Sequence, residues 1–295
     1  MTERFTPQAE TIDKYGVWRP GVFQRFSGDL NYGGSTENFK QGMGLEPKGV
    51  HLKLLARIDR LGRSLKEKML PSRFLIKLLR QIDPNADPHD VIKTQLQHTA
   101  NVVTVDEEFL KLNPEQRIQA TLATDGLITN IENQPLYITA GDCAPVAIFD
   151  PENRAIGLFH SGWEGTANLI SIVGIKNMIE KYGSNPEDLV VSIGPSIAPE
   201  DYEVGETVRT KFAENYSPEE ISILFTSHPQ EGKYFLNVPL AIKIKLIQAG
   251  VREENIEISL HSTFKEGSVF PSARKAEGVQ NIDASIFLMS LAKRD

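Results

Sequence analysis

The stretch GDCAPVAIFDPENRAIGLFHSGWEG, residues 141–165, predicts a β-hairpin. Two apolar runs, Pro145 to Phe149 and Ala155 to His160, are separated by the turn sequence DPENR and flanked by polar ends that contain glycine. If one strand runs out to the turn and the other returns, Cys143 and His160 lie at the same edge of the sheet. The two side chains are then able to share a site.

Beyond this hairpin, the chain from about residue 90 onward alternates short β-branched runs with helical patterns, which predicts an α+β domain. The expected strands are Val102 to Val105, Gly126 to Thr129, Leu136 to Thr139, Pro145 to Phe149, Ala155 to His160, Leu189 to Ile193 and Ile256 to His261. The expected helices are Thr166 to Tyr182, Glu206 to Tyr216 and Val238 to Ala249, the last closed by Gly250.

The N-terminal part has a different pattern. Residues 1–50 are rich in glycine, proline and aromatic residues without a clear period, which indicates short strands and loops. Over residues 51–83, apolar residues recur at helical spacing and Pro71 interrupts them, which predicts a helical hairpin or a broken helix. Because the chain has no internal repeat and no low-complexity linker, we expect a single domain, 1–295, with the helical segment as an insertion.

The composition argues against several classes of function. The 295 residues carry a net charge of −7 and a pI near 5.5, whereas a protein that binds nucleic-acid phosphates usually needs a basic face. No stretch approaches the run of about eighteen apolar residues that a membrane span needs, and the N-terminus lacks the core of a signal peptide. We therefore expect a cytoplasmic protein with a small-molecule substrate and without a nucleic-acid or membrane partner.

Cys143 is the one cysteine of the chain, which excludes an intramolecular disulfide and agrees with a reducing compartment. Thiolate and imidazole ligands select zinc over magnesium or calcium, and catalytic zinc commonly keeps three protein ligands. Besides Cys143 and His160, a third ligand is therefore needed. His98 just precedes a predicted strand and His261 ends another, so spacing leaves both open. The simpler interpretation is a buried cysteine and unrelated histidines, since no short metal signature such as CxxC or HExxH is present.

Longer motifs carry a resemblance to a known family. Four of them occur in order: ATDGLIT at 123–129, TAGDCAP at 139–145, HSGWEG at 160–165 and GPSIAPEDYEVG at 194–205. With these motifs the chain resembles the YfiH-like family, also called the laccase-domain or multicopper polyphenol oxidase family. The likeness extends more loosely to QLQH at 95–98, VFPSARKAEG at 269–278 and, weakly, QRFSGDLNYG at 24–33.

The resemblance implies a layered sandwich of mixed β-sheets with outer helices, and metal ligands at His98, Cys143 and His160. It also implies purine nucleoside phosphorylase activity, with adenosine deaminase activity alongside, in a monomer. Zinc is the expected cofactor. Copper is less favoured, because multicopper sites need many histidines and the chain has six. Some members of the family have been described as polyphenol oxidases or as hydrolases that edit cell-wall precursors.

Zinc can activate water for deamination or orient a phosphate oxygen for attack at the ribose, and either reaction needs a proton carrier. Asp142 beside the cysteine is the candidate general acid or base, with a turn-capping carboxylate as the alternative. Trp163 is a candidate for stacking on the purine and Arg274 for binding phosphate or ribose. Their simpler interpretations are a tryptophan that closes the core and a surface salt bridge. Arg25 matches the family's N-terminal arginine and is a further substrate-binding candidate.

Glu164 is the main departure from the family pattern, which usually has arginine at this position of the His-x-Gly-Trp-Arg-Gly motif. The change reverses the charge near the expected site and puts phosphorolysis in doubt. Two alternatives stay open. Cys143 is a possible nucleophile with His160 as its base, which predicts a hydrolase or deamidase, since the family's fold is shared with bacterial toxin deamidases. Alternatively, the chain is a binding protein that has lost catalysis.

Overall fold

The predicted hairpin is present and lies in the middle of the largest sheet. The computed structural model describes four stretches of the chain, residues 50–55, 91–265, 271–276 and 284–291. The hairpin strands, Ala144–Asp150 and Ala155–Ser161, pair antiparallel with Pro145 opposite His160. Every residue of both strands is buried. Burial on both faces explains why the two runs are apolar throughout instead of alternating with polar residues.

The strands and helices of the described residues are numbered in chain order. The strands are β1 (Val50–Leu55), β2 (Ile92–Lys93), β3 (Val102–Thr104), β4 (Gly126–Thr129), β5 (Leu136–Ala140), β6 (Ala144–Asp150), β7 (Ala155–Ser161), β8 (Val190–Ile193), β9 (Glu203–Gly205), β10 (Phe225–Ser227), β11 (Lys233–Leu236), β12 (Ile256–Ile258) and β13 (Ser285–Leu291). The helices are α1 (Glu107–Lys111), α2 (Pro114–Ala120), α3 (Trp163–Ala167), α4 (Ile170–Tyr182), α5 (Glu206–Phe212), α6 (Pro218–Leu224) and α7 (Val238–Gln248). Within the described stretches, no helix combines the length and the hydropathy that crossing a membrane requires.

These strands form three sheets. The largest has six strands in the order β12-β8-β6-β7-β4-β3, with a parallel pair at each end and antiparallel pairs between them. A four-stranded sheet has the order β1-β13-β5-β2, in which β5 and β2 are parallel and the other pairs antiparallel. The third sheet, β10-β11-β9, is antiparallel. The expected α+β class with mixed sheets is confirmed.

The six-stranded sheet is the middle layer of the molecule. Ile148 of β6 packs in the same buried cluster as Ile170 of α4, whereas its neighbour Phe149 packs with Phe287 of β13 in a second cluster. Successive residues of a strand face opposite sides of a sheet, so the hairpin supplies both cores. Helices therefore cover one face of the middle sheet and the four-stranded sheet covers the other, which is the layered arrangement that the resemblance implied.

The strands expected after residue 90 are present, with ends that shift by one or two residues in most cases, although β12 ends at Ile258 and not at His261. The helix expected over residues 166–182 is divided into α3 and α4. Leu169 has a left-handed φ of 63°, which breaks the helical hydrogen-bond pattern. Neither glycine nor proline marks this position, so a sequence signal for the break was lacking.

The helix predicted from residue 51 is wrong at its start. Residues 50–55 form strand β1, which pairs antiparallel with β13, with Val50 opposite Leu291. The segment VHLKLL fits a helical and a strand pattern, and pairing with a strand at the other end of the chain decides between them. Residues 56–83 of the expected insertion lie outside the described residues, and the single-domain organisation stays a prediction.

Three glycines surround the ring of Phe159, the residue that precedes His160. A Cβ atom on Gly174 of α4 would lie 2.3 Å from the ring, and one on Gly126 of β4 or on Gly157 of β7 would lie 2.6 Å from it. Real Cβ contacts are essentially never this short. The glycines therefore allow the aromatic ring to fill the space between the helix and the sheet, and the ring fixes how β7 lies in the middle layer.

We expect the substitution Gly174→Ala to destabilise the protein by about 1–3 kcal/mol, because the added methyl group overpacks the core against Phe159. Helix propensity alone predicts the opposite sign, since alanine favours a helix interior by about 1 kcal/mol over glycine. The free energy of unfolding from urea denaturation checks this, with Lys176→Ala on the exposed face of the same helix as a control that changes it by less than about 0.5 kcal/mol. A Gly174→Ala protein as stable as the wild type would contradict the packing described.

Candidate metal centre

Cys143 and His160 lie at the same edge of the six-stranded sheet. Cys143 directly precedes β6, and His160 is opposite Pro145 near the end of β7. Gly162 then caps the N-terminus of α3. A Cβ atom on this glycine would lie 2.8 Å from Sγ of Cys143 and 3.0 Å from Cδ2 of His98. Any larger residue at position 162 would therefore displace the side chains that gather at this edge.

His98 completes a cluster of three potential ligands. The ligand atoms of His98, Cys143 and His160 all lie within 4.8 Å of one another, and the centroids of the two imidazole rings are 5.1 Å apart. His98 is exposed, Cys143 is half-buried and His160 is buried, so the cluster opens toward solvent on the His98 side. His261, which spacing had left open as a third ligand, is not part of this cluster.

The donor set of this cluster fits a zinc ion. One thiolate and two imidazoles are ligands that zinc prefers, and three protein ligands with an open side are typical of catalytic rather than structural zinc. Ligand atoms at about 2.0–2.3 Å from a tetrahedral zinc lie roughly 3–4 Å from one another. The observed spacing within 4.8 Å therefore requires only small side-chain movements to reach that geometry.

The thiol and the two imidazoles of the cluster change one another's pKa values. Burial alone raises the pKa of Cys143, but hydrogen bonds with His160 and His98 outweigh it and lower the pKa to about 7. For His160, burial lowers the pKa, whereas Asp125 and Cys143 raise it to about 9. The hydrogen bond with Cys143 also raises the pKa of His98. Without metal, the cluster therefore favours a thiolate beside an imidazolium at neutral pH.

Asp125 is the residue of this site that sequence reasoning missed. Its carboxylate belongs to a fully buried residue and accepts hydrogen bonds from Nδ1 of His160 and from the backbone N–H of His98, both at 3.0 Å. The N–H groups of Gln97 and Thr99 and the Thr99 hydroxyl also donate to it. Burial raises the pKa of Asp125, but these hydrogen bonds, led by that of His160, lower it to about 2. The available signal was an acidic residue at the start of an apolar strand in the ATDGLIT motif.

Asp142 lies beside Cys143 in left-handed backbone, with a φ of 83°. Its buried carboxylate accepts hydrogen bonds from the Thr263 hydroxyl at 2.5 Å, the Ser272 hydroxyl at 3.0 Å and the backbone N–H of Arg274 at 2.6 Å. These contacts tie two segments near the C-terminus to the start of β6, as a capping carboxylate would. The general acid or base role predicted for Asp142 stays a prediction.

The predicted substrate-binding residues differ in their surroundings. The backbone of Arg274 contacts Asp142, while its guanidinium lies 5.3 Å from the ring centroid of Tyr202 and donates to the carbonyl of Glu203 at 3.1 Å. Trp163 is partly buried and packs against the helix-side core. Arg25 lies outside the described residues. Arg274 thus contacts the neighbour of Cys143, and Trp163 directly follows Gly162 in the chain. Both side chains also contact residues outside the cluster.

Glu164 lies in the first turn of α3, two residues beyond Gly162, and is partly buried. An acidic side chain at this end of a helix is favoured by the helix dipole. Burial is the main reason that the pKa of Tyr202 is raised, and the charges of Cys143 and Glu164 add to the effect. The negative charge of Glu164 therefore acts on Tyr202 in the same direction as that of the thiolate.

Residues 77–286 of the chain match the family described as multi-copper polyphenol oxidoreductase laccase. The chain belongs to this laccase family. A purine nucleoside phosphorylase from Bacteroides thetaiotaomicron is 30% identical over 189 residues, which cover 64% of this chain and 69% of that relative. Adenosine deaminase RL5, from an unknown prokaryotic organism, is 26% identical over 189 residues, which cover 64% of this chain and 71% of that relative.

Among solved structures, the hypothetical protein YfiH from Bacillus licheniformis aligns with a TM-score of 0.65 at 28% identity, over 74% of this chain and 81% of that chain. The expected membership in the YfiH-like or laccase family is therefore confirmed. The segment that matches the laccase family includes His98, Cys143 and His160, together with Asp125.

We expect Cys143 of the metal-stripped protein to react with iodoacetamide at a rate that is half-maximal near pH 7. An ordinary thiol, with a pKa near 9.0, becomes reactive about two pH units higher, because the thiolate is the nucleophile. His98→Leu is the matched variant: it removes one hydrogen bond to the thiolate at an exposed position and should move the midpoint to higher pH. Mass spectrometry of the alkylated protein across a pH series measures both midpoints, and a wild-type midpoint near pH 9 would contradict the described electrostatics.

Proposed function

We propose that this member of the laccase family is a zinc-dependent enzyme that cleaves purine nucleosides with phosphate and also deaminates adenosine. The observation that carries the proposal is the cluster of His98, Cys143 and His160, three suitable donors with one side open to solvent. The names of two relatives, a purine nucleoside phosphorylase and an adenosine deaminase, support nucleosides as the substrate class.

In this proposal His98, Cys143 and His160 hold the metal, and copper is the less favoured ion because the cluster has two imidazoles and one thiolate in place of a multinuclear set. Zinc supplies a Lewis acid beside the substrate, which suits both the activation of water and the orientation of phosphate. His160 lies on the buried side and is held by Asp125, so substrate enters from the side of His98.

The proton carrier of the proposed reaction is Asp142. Its Oδ1 atom accepts one hydrogen bond, from Thr263, whereas Oδ2 accepts two, so Oδ1 retains the capacity to take or give a proton. Arg274 is the proposed ligand of phosphate or ribose, because an arginine fork suits anionic oxygens. Trp163 is proposed to stack on the purine, and Arg25 to contribute from the N-terminal segment.

The proposed setting is a cytoplasmic monomer that consists of one domain and binds neither nucleic acid nor membrane. The net charge of −7 supports a small-molecule substrate over a polyanionic partner.

The pair of Cys143 and His160 also favours a second candidate, a hydrolase or deamidase with a cysteine nucleophile. The pKa of Cys143 is lowered to about 7, and His160 is oriented by a hydrogen bond with Asp125, which is the arrangement of nucleophile, base and orienting group. A third candidate, a binding protein without catalysis, is motivated by the negative charge of Glu164 near the cluster.

We expect protein purified without chelator to contain about one zinc per chain and to convert adenosine to adenine in the presence of phosphate, or to inosine. Cys143→Ala should lose both the metal and the activity, because two histidines alone are a weak zinc site. His228→Ala is the matched control, since His228 lies outside the cluster and should leave both unchanged. Elemental analysis and chromatography of the reaction products measure the two properties.

The outcomes separate the three candidates. Activity of the metal-free wild type that is abolished by alkylation of Cys143 would support the cysteine nucleophile and contradict the zinc enzyme. Bound zinc without phosphorolysis or deamination at high enzyme concentration would favour the binding protein.

We expect Glu164→Arg to lower the KM for phosphate about tenfold, since replacing a repulsive charge with a charge-assisted hydrogen-bond donor is worth at least about 1.4 kcal/mol. The initial rate of adenine release at varied phosphate concentration measures this KM. Glu180→Arg, the same charge change on the exposed face of α4, controls for the overall field of the protein. An unchanged KM in Glu164→Arg would assign phosphate binding to other groups.

A further inference from the structure

One carboxylate contacts two of the three cluster residues at once. Oδ1 of Asp125 accepts from the imidazole Nδ1 of His160 and from the backbone N–H of His98, each at 3.0 Å. Oδ2 accepts from the N–H of Gln97 at 3.2 Å, the N–H of Thr99 at 2.8 Å and the Thr99 hydroxyl at 2.8 Å. The five donors come from a strand end and from a loop that precedes another strand, so the carboxylate joins two separate segments of the chain.

The contact with His160 determines which ring nitrogen faces the cluster. Because Nδ1 donates its proton to Asp125, the neutral ring carries a lone pair on Nε2, the nitrogen that remains for a metal. The reversed tautomer would leave a lone pair against the carboxylate and a proton toward Cys143. Asp125 therefore favours the tautomer of His160 that is able to bind a metal.

The contacts with the loop hold His98 in an unfavourable backbone conformation. His98 has a φ of 58°, in the left-handed region that residues with a side chain seldom adopt. Three consecutive backbone N–H groups, those of Gln97, His98 and Thr99, converge on the buried carboxylate. These bonds offset the cost of the left-handed turn that carries the imidazole of His98 to within 5.1 Å of the His160 ring.

We propose that Asp125 is a positioning residue that assembles the metal site before the metal binds, by fixing the tautomer of His160 and the backbone of His98 together. This role rests on the proposed metal centre. Asp125 adjoins two ligands and is not itself a ligand, so it acts through His98 and His160 and not on the substrate.

Asp125→Asn tests this role with little change in size. An asparagine side chain offers one acceptor oxygen and one NH₂ group that only donates, whereas every group around this carboxylate is a donor. If the new amide group faces His160, the ring must release its Nδ1 proton and carry one on Nε2. If it takes the position of Oδ2 instead, the N–H groups of Gln97 and Thr99 lose their acceptor in the loop that carries His98. We expect either orientation to weaken zinc binding by about 10–100-fold.

Asp150 provides the matched control at the other end of the same hairpin. It is also fully buried, and its carboxylate accepts from the N–H groups of Glu152 and Asn153 and from the Asn153 side chain. Asp150→Asn therefore removes the charge of a buried, hydrogen-bonded aspartate without touching His98 or His160. We expect it to lower the stability of the fold and to leave the affinity for zinc within about twofold of the wild type.

The zinc dissociation constants of the metal-stripped proteins are measured by competition with a chromophoric chelator. The free energy of unfolding of each protein is measured in parallel. Proton NMR of the zinc-loaded proteins adds the imidazole N–H signal of His160, which a carboxylate partner shifts strongly downfield. We expect this signal in the wild type and in Asp150→Asn, and its loss or upfield shift in Asp125→Asn. Thr99→Val, which removes one donor and keeps the carboxylate, should weaken zinc binding by about two- to tenfold. It replaces Asp125→Asn as the test if that variant does not fold.

The results distinguish this role from the proposed function. A wild type that does not bind zinc would overturn the metal centre and, with it, the positioning role. A wild type that binds zinc while Asp125→Asn binds it equally well would overturn the positioning role alone. The positioning role is also overturned if Asp150→Asn weakens zinc binding as much as Asp125→Asn, or if the replacement variant Thr99→Val leaves zinc binding unchanged.

Discussion

The antiparallel register of β6 and β7 is the constraint on which the candidate site depends. A slip of one residue would turn every side chain of one strand to the opposite face of the sheet and exchange the two cores. Phe159 is enclosed by Gly126, Gly157 and Gly174, and a slip would move its ring away from the space that these glycines leave. With Phe159 turned toward the helices, the alternation along β7 directs His160 to the opposite face of the sheet, and its place near the end of β7 brings it close to Cys143 before β6.

Electrostatics explains how so many polar groups are tolerated at this edge. A buried charge is costly unless it is paired and hydrogen-bonded. The carboxylate of Asp125 is paired with His160 and saturated with donors, and that of Asp142 is capped by groups from the C-terminal segments. In the metal-free state the thiolate of Cys143 lies beside the protonated ring of His160. A bound divalent cation would displace that proton, and the thiolate and the carboxylate of Asp125 would together balance its charge.

The same geometry is compatible with more than one chemistry, which accords with the different names of the relatives. A metal can be held by the thiolate and the two imidazoles, with the carboxylate orienting one of the rings. The thiolate, one imidazole and the same carboxylate also suit nucleophilic catalysis. Charged residues of both signs lie around the cluster. Glu164 makes these surroundings more negative, while the guanidinium of Arg274 is directed to Tyr202 and the carbonyl of Glu203.

The sequence by itself determined the α+β class, the central hairpin and the proximity of Cys143 to His160, because hydrophobic period and turn residues act over a few neighbouring positions. Motif resemblance added His98, which spacing alone could not choose over His261. Only the tertiary structure decided that residues 50–55 form a strand and that Asp125 joins two of the candidate ligands. Both depend on hydrogen bonds between segments far apart in the chain, where local patterns carry no information about the partner.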